Sequence, residues 1–172
     1  MPIYALGDAE PRIDPTAFIH PDAVIIGNVT IGPEASVWPQ AVLRGDANAI
    51  VVGARTSIQD GAVIHCTSAR ATRIGSDCVV GHLAHMEGCD IGDGALVGSG
   101  SVVLPGASVG AGALVAAGAV VANEVVVPAG ALARGVPARI VEGAAHQDVI
   151  AASVSMYVHN NHLYRGALRR LD

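Results

Sequence analysis

The run VVGHLAHMEGC, residues 79–89, places His82, His85 and Glu87 within six positions of a chain otherwise built from Val, Ala, Gly and Ile. Imidazole nitrogen and carboxylate oxygen are donor types that hold zinc and related divalent cations, and a three-donor site with an open position activates water. Upstream lie a further imidazole, His65, the amide and carboxylate Gln59 and Asp60, and Arg44 with Asp46 in LRGDANAIVV. An amide beside a carboxylate can orient a nucleophile and accept its proton. The same residues also read as surface polar groups and ion pairs, with Arg44 and Asp46 sufficiently explained as a structural pair. What decides between these readings is which of them the fold brings together.

The spacing of the aliphatics defines the elements that must position them. Ile13, Ile19, Ile25, Ile31, Val37 and Leu43 recur every six residues, and Ile91, Val97, Val103, Val109, Val115, Val121 and Val127 resume the same period. Six suits neither an amphipathic helix nor a heptad. It is the period of a hexapeptide parallel β-helix, in which one aliphatic per short strand points inward and small residues turn each corner. Composition agrees, since 51% of the 172 residues are hydrophobic but only 3% aromatic, and 21 are glycine. Such a core is filled by small and branched aliphatics, and its corners draw on glycine. The length suits one domain over 1–172, an all-β solenoid over about 10–140 followed by an α-helix over about 145–171.

Between the two regular runs the lattice slips three times. Three residues are extra from Leu43 to Val52, four from Ile64 to Ile74, and one is missing from Met86 to Ile91. Each slip borders a polar group, and departures from an otherwise regular pattern mark candidate sites. With three hexads to a triangular coil, Ile25, Leu43, Ile64, Met86 and Val103 stack on one face. The residues that follow them, Ile26, Arg44, His65, Glu87 and Leu104, then form an outward column at about 4.8 Å per step. On the neighbouring face Val37, Ile58, Val80 and Val97 stack, which sets Gln59 and Asp60 one coil below Gly81 and His82. His65 and His82 then project from different faces, so they share one ion only if a second copy of the chain brings its imidazole alongside. A homo-oligomer with sites between subunits is expected.

From residue 145 the period changes. Ile150, Val154, Tyr157, Asn161, Tyr164, Leu168 and Leu171 alternate spacings of four and three, one seam of an amphipathic helix laid along the prism. Arg165, Arg169 and Arg170 fall in its last turns, where cations suit the helix dipole. Asn161, the polar member of the seam, reads as a buried structural hydrogen bond, with a place near the site, alongside Tyr157, as the alternative. Cys66, Cys78 and Cys89 form no CxxC pair and leave an odd one over. That argues against a disulfide framework, for a reducing compartment, and for three small buried side chains. The chain has no Lys and a net charge of -5, no apolar run long enough for a membrane span, and no signal segment at its N-terminus. Nucleic acid and membrane are therefore not expected partners, and the cytoplasm is the expected compartment.

The stretch VLRGDANAIVVGARTSIQDGAVIHCTS, followed by VVGHLAHMEGCDIGDGALVGSGSVVLPGASVGAGALVAAGAVV, resembles the gamma-class carbonic anhydrase family over roughly residues 10–140. YVHNNHLYR is similar to that family's C-terminal helix, and the set RGD, IQDG, a His, then GH carries the resemblance. It implies a left-handed β-helix, a homotrimer with zinc or iron (Zn2+ or Fe2+) between subunits, and reversible hydration of carbon dioxide to bicarbonate. It implies His65 and His82 as metal ligands from adjoining subunits, Arg44 and Asp46 as an ion pair at the interface, and Gln59 and Asp60 beside the reacting water. The family's third His, in a GH-x4-H pattern, is replaced here by Glu87, while another His, His85, stands two residues earlier at a corner of the segment. Zinc accepts carboxylate oxygen, so Glu87 is itself a candidate ligand. The exchange reads as compensation, with His85 as third ligand and Glu87 as direct ligand or supporting partner.

An added carboxylate makes the ion a poorer acid, and RGDANAIVV is short and has no Glu to carry protons away, so slow turnover is expected. A second reading is a metal-dependent thioesterase or acyltransferase acting on a coenzyme A thioester, because ARGVPARIV resembles the segment closing the solenoid in acyltransferases of this repeat class. Residues 91–130 contain no Arg, Lys or His for the coenzyme's phosphates, which weighs against transfer. A third is a non-catalytic trimeric scaffold.

Overall fold

The structure is a computed structural model and describes residues 2–172. It is a parallel β-solenoid of short strands followed by one helix, α1 (Gln147–Ala167). The six-residue period becomes three inward columns. On the first face Ile25, Leu43, Ile64, Met86, Val103 and Val121 stack in register. On the second, Ile13, Ile31, Val52, Ile74, Ile91, Val109 and Val127 do so. The third carries Ile19, Val37, Ile58, Val80, Val97, Val115 and Ala133. Nearly all are buried, and Ala23, Ala41, Ala62, Ala84 and Ala119 fill the space beside the first column. A cross-section this narrow admits one aliphatic per face and a second buried side chain, most often alanine, beside it, which explains why the core contains almost no aromatic side chain.

The solenoid is longer at both ends than the period indicates. Ile3–Tyr4 pairs with Val24–Ile31 and extends the first face downward. At the other end Arg139–Val141 runs antiparallel to Leu132–Arg134, closing the third face with a reversed strand. The slip between Leu43 and Val52 is absorbed in one continuous strand, Val42–Val52, paired to Val24–Ile31 across a bulge between Gly27 and Val29.

Helix α1 lies on the third face. Ile150 and Val154 pack with Val79, Leu96 and Leu114. Lower down, Trp38 meets Tyr157 at a ring-centroid distance of 5.6 Å and Tyr164 at 4.9 Å, and Phe18 meets Tyr164 at 5.7 Å. Arg165 donates to the Thr16 and Pro15 carbonyls at 3.0 and 2.9 Å. The helix is shorter than the seam indicates. It ends at Ala167, Leu168 and Leu171 are exposed, and Arg169 and Arg170 lie beyond the last turn. The third face ends at Phe18–Ile19, and past the helix the chain runs beside the corner at His20, Pro21 and Asp22 instead of along a strand column. Gly166 in the final turn weakens the helix further. Among the described residues no helix is long and apolar enough to cross a membrane.

All three cysteines are free and buried. Burial pushes the Cys78 thiol up to about 11 and the Cys89 thiol up to about 12.

Candidate metal centre

On the first face the outward column runs in the register the sequence indicates, Ile26 beside Arg44, Arg44 beside His65, and His65 beside Glu87. The His65 ring is gripped on both sides. Its Nδ1 lies 2.8 Å from Glu87 Oε1 and its Nε2 lies 2.8 Å from Asp46 Oδ1. Asp46 in turn receives the Arg44 guanidinium, so Arg44, Asp46, His65 and Glu87 form one chain of contacts within a single subunit. The Arg44 and Asp46 pair expected at a subunit interface is thus already closed inside one copy. The hydrogen bond from His65, then that from Arg44, holds the Asp46 carboxyl below its ordinary range. The loop inserted after His65 is tied back by Thr72, whose hydroxyl donates to the His65 carbonyl and accepts the Gly88 N–H at 2.7 Å.

The second constellation sits at the corner between the third and first faces. Ile58 and Val80 are in register, so Asp60 lies one coil below His82, and His82 Nδ1 is 2.9 Å from Asp60 Oδ2. Both side chains are about half exposed, at 49% and 48%. Gln59 is buried, with its backbone N–H donated to the Val80 carbonyl at 2.9 Å. Tyr157 reaches this corner from α1. Burial, and after it the charge of Asp60, raises its phenol above the ordinary range. Asn161 does not join them. It is fully buried, and its Nδ2 donates to the Ala35 carbonyl at 2.9 Å and the Thr16 carbonyl at 3.4 Å, one and two coils below Asp60. Its Oδ1 has no partner among the described residues.

His85 stands inside the strand His85–Glu87 rather than at a corner. Its register neighbours are Val63 and Val102, which puts it in the outward column next to that of His65 and Glu87. His65 and His82 project from different parts of the prism, as the register requires.

Donor atoms of Asp46, His65 and Cys66 lie within 4.8 Å of one another. Cys66, however, is buried, accepts the Asn48 N–H at 3.1 Å and donates to the Asn48 carbonyl at 3.3 Å, so its sulfur belongs to the interior. The outward donors are His65, Asp46 and Glu87, a nitrogen and oxygen set whose chemistry fits zinc or ferrous iron. An ion at Nε2 would have Asp46 beside it, and one at Nδ1 would have Glu87. One copy offers a single imidazole there, with His82 at a separate corner. The contact between Asp46 and His65 is the feature sequence reasoning misses. Its signal is the strand alternation that puts Arg44 and Asp46 on one side, obscured because the lattice slips at that point.

A hexapeptide-repeat solenoid bearing an imidazole between carboxylates defines the class. The chain belongs to the bacterial transferase hexapeptide family, whose six-repeat model matches residues 10–45, 71–105 and 88–123, and to the part of it that includes the gamma carbonic anhydrases. It is 37% identical over 154 residues to gamma carbonic anhydrase 2, mitochondrial, of Arabidopsis thaliana, covering 86% of this chain and 55% of that protein. It is 42% identical over 104 residues to the carnitine operon protein CaiE of Escherichia coli O157:H7, covering 60% of this chain and 53% of that one. The chain thus spans about half the length of the curated relatives it matches. A solved hexapeptide transferase family protein from Anaplasma phagocytophilum superposes with a TM-score of 0.90 at 35% identity, covering 97% of this chain and 98% of that one.

Proposed function

We propose that this chain is a metal-dependent lyase of gamma carbonic anhydrase type, hydrating carbon dioxide reversibly to bicarbonate. The observation that carries the reading is the division of donors. His65 is held between Asp46 and Glu87 on one face, and His82 is held by Asp60 at another corner. A complete set needs two copies, which fits a homotrimer with its sites between subunits. Zinc or ferrous iron would be held by His65, by His82 of a second copy, and by Glu87 or His85 as the third ligand. Such an ion supplies hydroxide near neutral pH, chemistry for which carbonic anhydrase is itself the standard illustration.

The chain's own groups do the rest. Arg44 fixes Asp46, and with the ion on one ring nitrogen of His65 the carboxylate at the other, Asp46 or Glu87, would fix the orientation of the ring. Gln59 orients the reacting oxygen through its amide, and Asp60 accepts the released proton at a carboxylate oxygen. Tyr157 limits water at that carboxylate. Two carboxylates beside His65 make the centre more negative than an all-imidazole one, which disfavours deprotonation there and slows turnover. The same reading takes residues 1–172 as a single domain working in the cytoplasm.

Metal analysis with stopped-flow hydration assays tests it. Purified protein should carry about one divalent ion per subunit, lose it in His65→Ala or His82→Ala, and hydrate carbon dioxide faster than buffer when loaded with zinc or iron. A double variant that keeps its full metal content overturns the assignment.

A further inference from the structure

The corner between the third and first faces is a column of residues in the left-handed conformation, Gln40, Gly61, Leu83, Gly100 and Gly118, with φ of 61, 67, 60, 64 and 68°. Each donates its N–H to a carbonyl of the coil below, as Leu83 does to Asp60 at 2.9 Å. Glycine or a polar side chain that bonds locally suits that backbone, and leucine is strained there. Among the described residues five other side-chain-bearing positions adopt it, Glu34, Gln40, Arg55, Asp77 and Glu124, and all five are polar or charged. Leu83 is the apolar exception, and it is 71% exposed. Its side chain lies back over the bare Gly61, where an added Cβ would fall 2.6 Å from Leu83 Cδ2. In a single copy that placement costs both backbone strain and exposed apolar area.

The three faces differ in what they offer to cover it. Parallel sheets are ordinarily covered on both sides. Helix α1 covers the third face. The second presents a mostly polar column, Arg12, Thr30, Val51, Arg73, Asp90 and Ser108. The first presents Val24, Val42, Val63, Val102 and Val120, interrupted by His85 alone, and Val63 is 39% exposed. Val63 shares a three-residue strand with His65, and Leu83 directly follows His82. Each half of the divided donor set therefore carries an apolar neighbour, and a second copy that brings His82 to His65 brings Leu83 to the valines.

We propose that Leu83 is the anchor by which one copy of the chain seats on the next, packing on the column of Val42, Val63 and Val102 that flanks His65. The contact is head-to-tail, so three copies close it into a ring with one such contact at each interface. The choice of a second copy as partner rests on the shared-metal reading. The apolar face and the strained, exposed leucine do not.

Sedimentation of the full chain on dilution, wild type against Leu83→Asn, tests it. Asparagine keeps the left-handed backbone, and any strain it relieves is relieved equally in free and assembled copies. Each lost contact should weaken its interface about tenfold and the whole ring about a thousandfold, so the protein concentration at half dissociation should rise about thirtyfold. Val63→Asn, on the receiving face, should act alike, and the double variant should add little, because both changes remove the same contact. Should the wild type stay assembled at nanomolar concentration, exchange between isotope-labelled and unlabelled copies, followed by native mass spectrometry, should run at least about tenfold faster in either variant. A wild type that sediments as a single chain, or variants with the wild-type midpoint and exchange rate, overturns the proposal. A ring that weakens as expected yet holds no metal leaves the anchor standing and removes the metal reading, whereas metal lost in His65→Ala beside an unweakened Leu83→Asn ring does the reverse.

Discussion

Gly81→Ala is the sharpest test of how the solenoid positions its site residues. Gly81 lies between Val80, which points into the core, and His82. Its backbone is not left-handed, so alanine meets no conformational strain there. The obstacle is the next coil. A Cβ at Gly81 would fall 2.6 Å from the Ser99 nitrogen, 2.9 Å from the Gly98 carbonyl carbon and 3.0 Å from the Ser99 Cα, all backbone atoms. Those atoms cannot step aside singly, because the ladder around them is closed by bonds such as Gly81 N–H to the Val97 carbonyl at 2.7 Å. Forcing a methyl into such a contact costs about 1–3 kcal/mol, offset by about 0.4–1 kcal/mol from the less flexible unfolded chain. The two ranges leave a net cost centred on about 1.3 kcal/mol, and at about 2–4 °C per kcal/mol for a chain of this length the melting midpoint should fall by roughly 3–5 °C.

Gly100→Ala is the matched control. A Cβ there meets nothing within 4 Å, but φ is +64°, so only backbone strain of about 1 kcal/mol opposes it. Differential scanning calorimetry of both variants should rank Gly81→Ala as the more damaging, and the metal content of Gly81→Ala should fall because His82 is carried on the displaced coil. A wild-type midpoint for Gly81→Ala, or a larger loss for Gly100→Ala, refutes the claim that coil contact rather than backbone strain dictates glycine beside His82.

Three further outcomes follow from the packing. Met86 is fully buried between Ile64 and Val103 directly behind the Glu87 column, so Met86→Ala should cost about 2–5 kcal/mol in denaturant titration, and a loss under about 1 kcal/mol would mean that the coils close around the gap. Asn161→Ala removes the donor that ties α1 to the Ala35 carbonyl, which keeps the Phe18 N–H at 2.9 Å, and should cost about 0.5–1.5 kcal/mol, with faster hydrogen exchange in the second half of α1 and none at Ile150 to Val154; unchanged exchange would contradict the anchoring role. Cys78 and Cys89 keep their protons to about 11 and about 12 when folded, against 9.0 when exposed, so the unfolded chain releases protons first. Stability should be flat below pH 9.0, decline as pH climbs from there through the folded values, and decline less in a Cys78→Ala, Cys89→Ala double variant.

The aliphatic spacing alone dictates the solenoid, its three-column core and the register that aligns Arg44, His65 and Glu87, because each six-residue step admits one inward side chain and any slip would turn a polar group into the core. The α1 seam is legible for the same reason through Tyr164, where it still has solenoid beneath it. The contacts are decided by tertiary structure. The bulge opposite Gly27 swings Asp46 onto His65, Thr72 ties down the inserted loop, and the last strand reverses direction, none of which a periodic pattern encodes. Periodicity specifies which way a residue points, since that follows from local backbone geometry. Which group it meets depends on how irregular segments close over distances the repeat does not span.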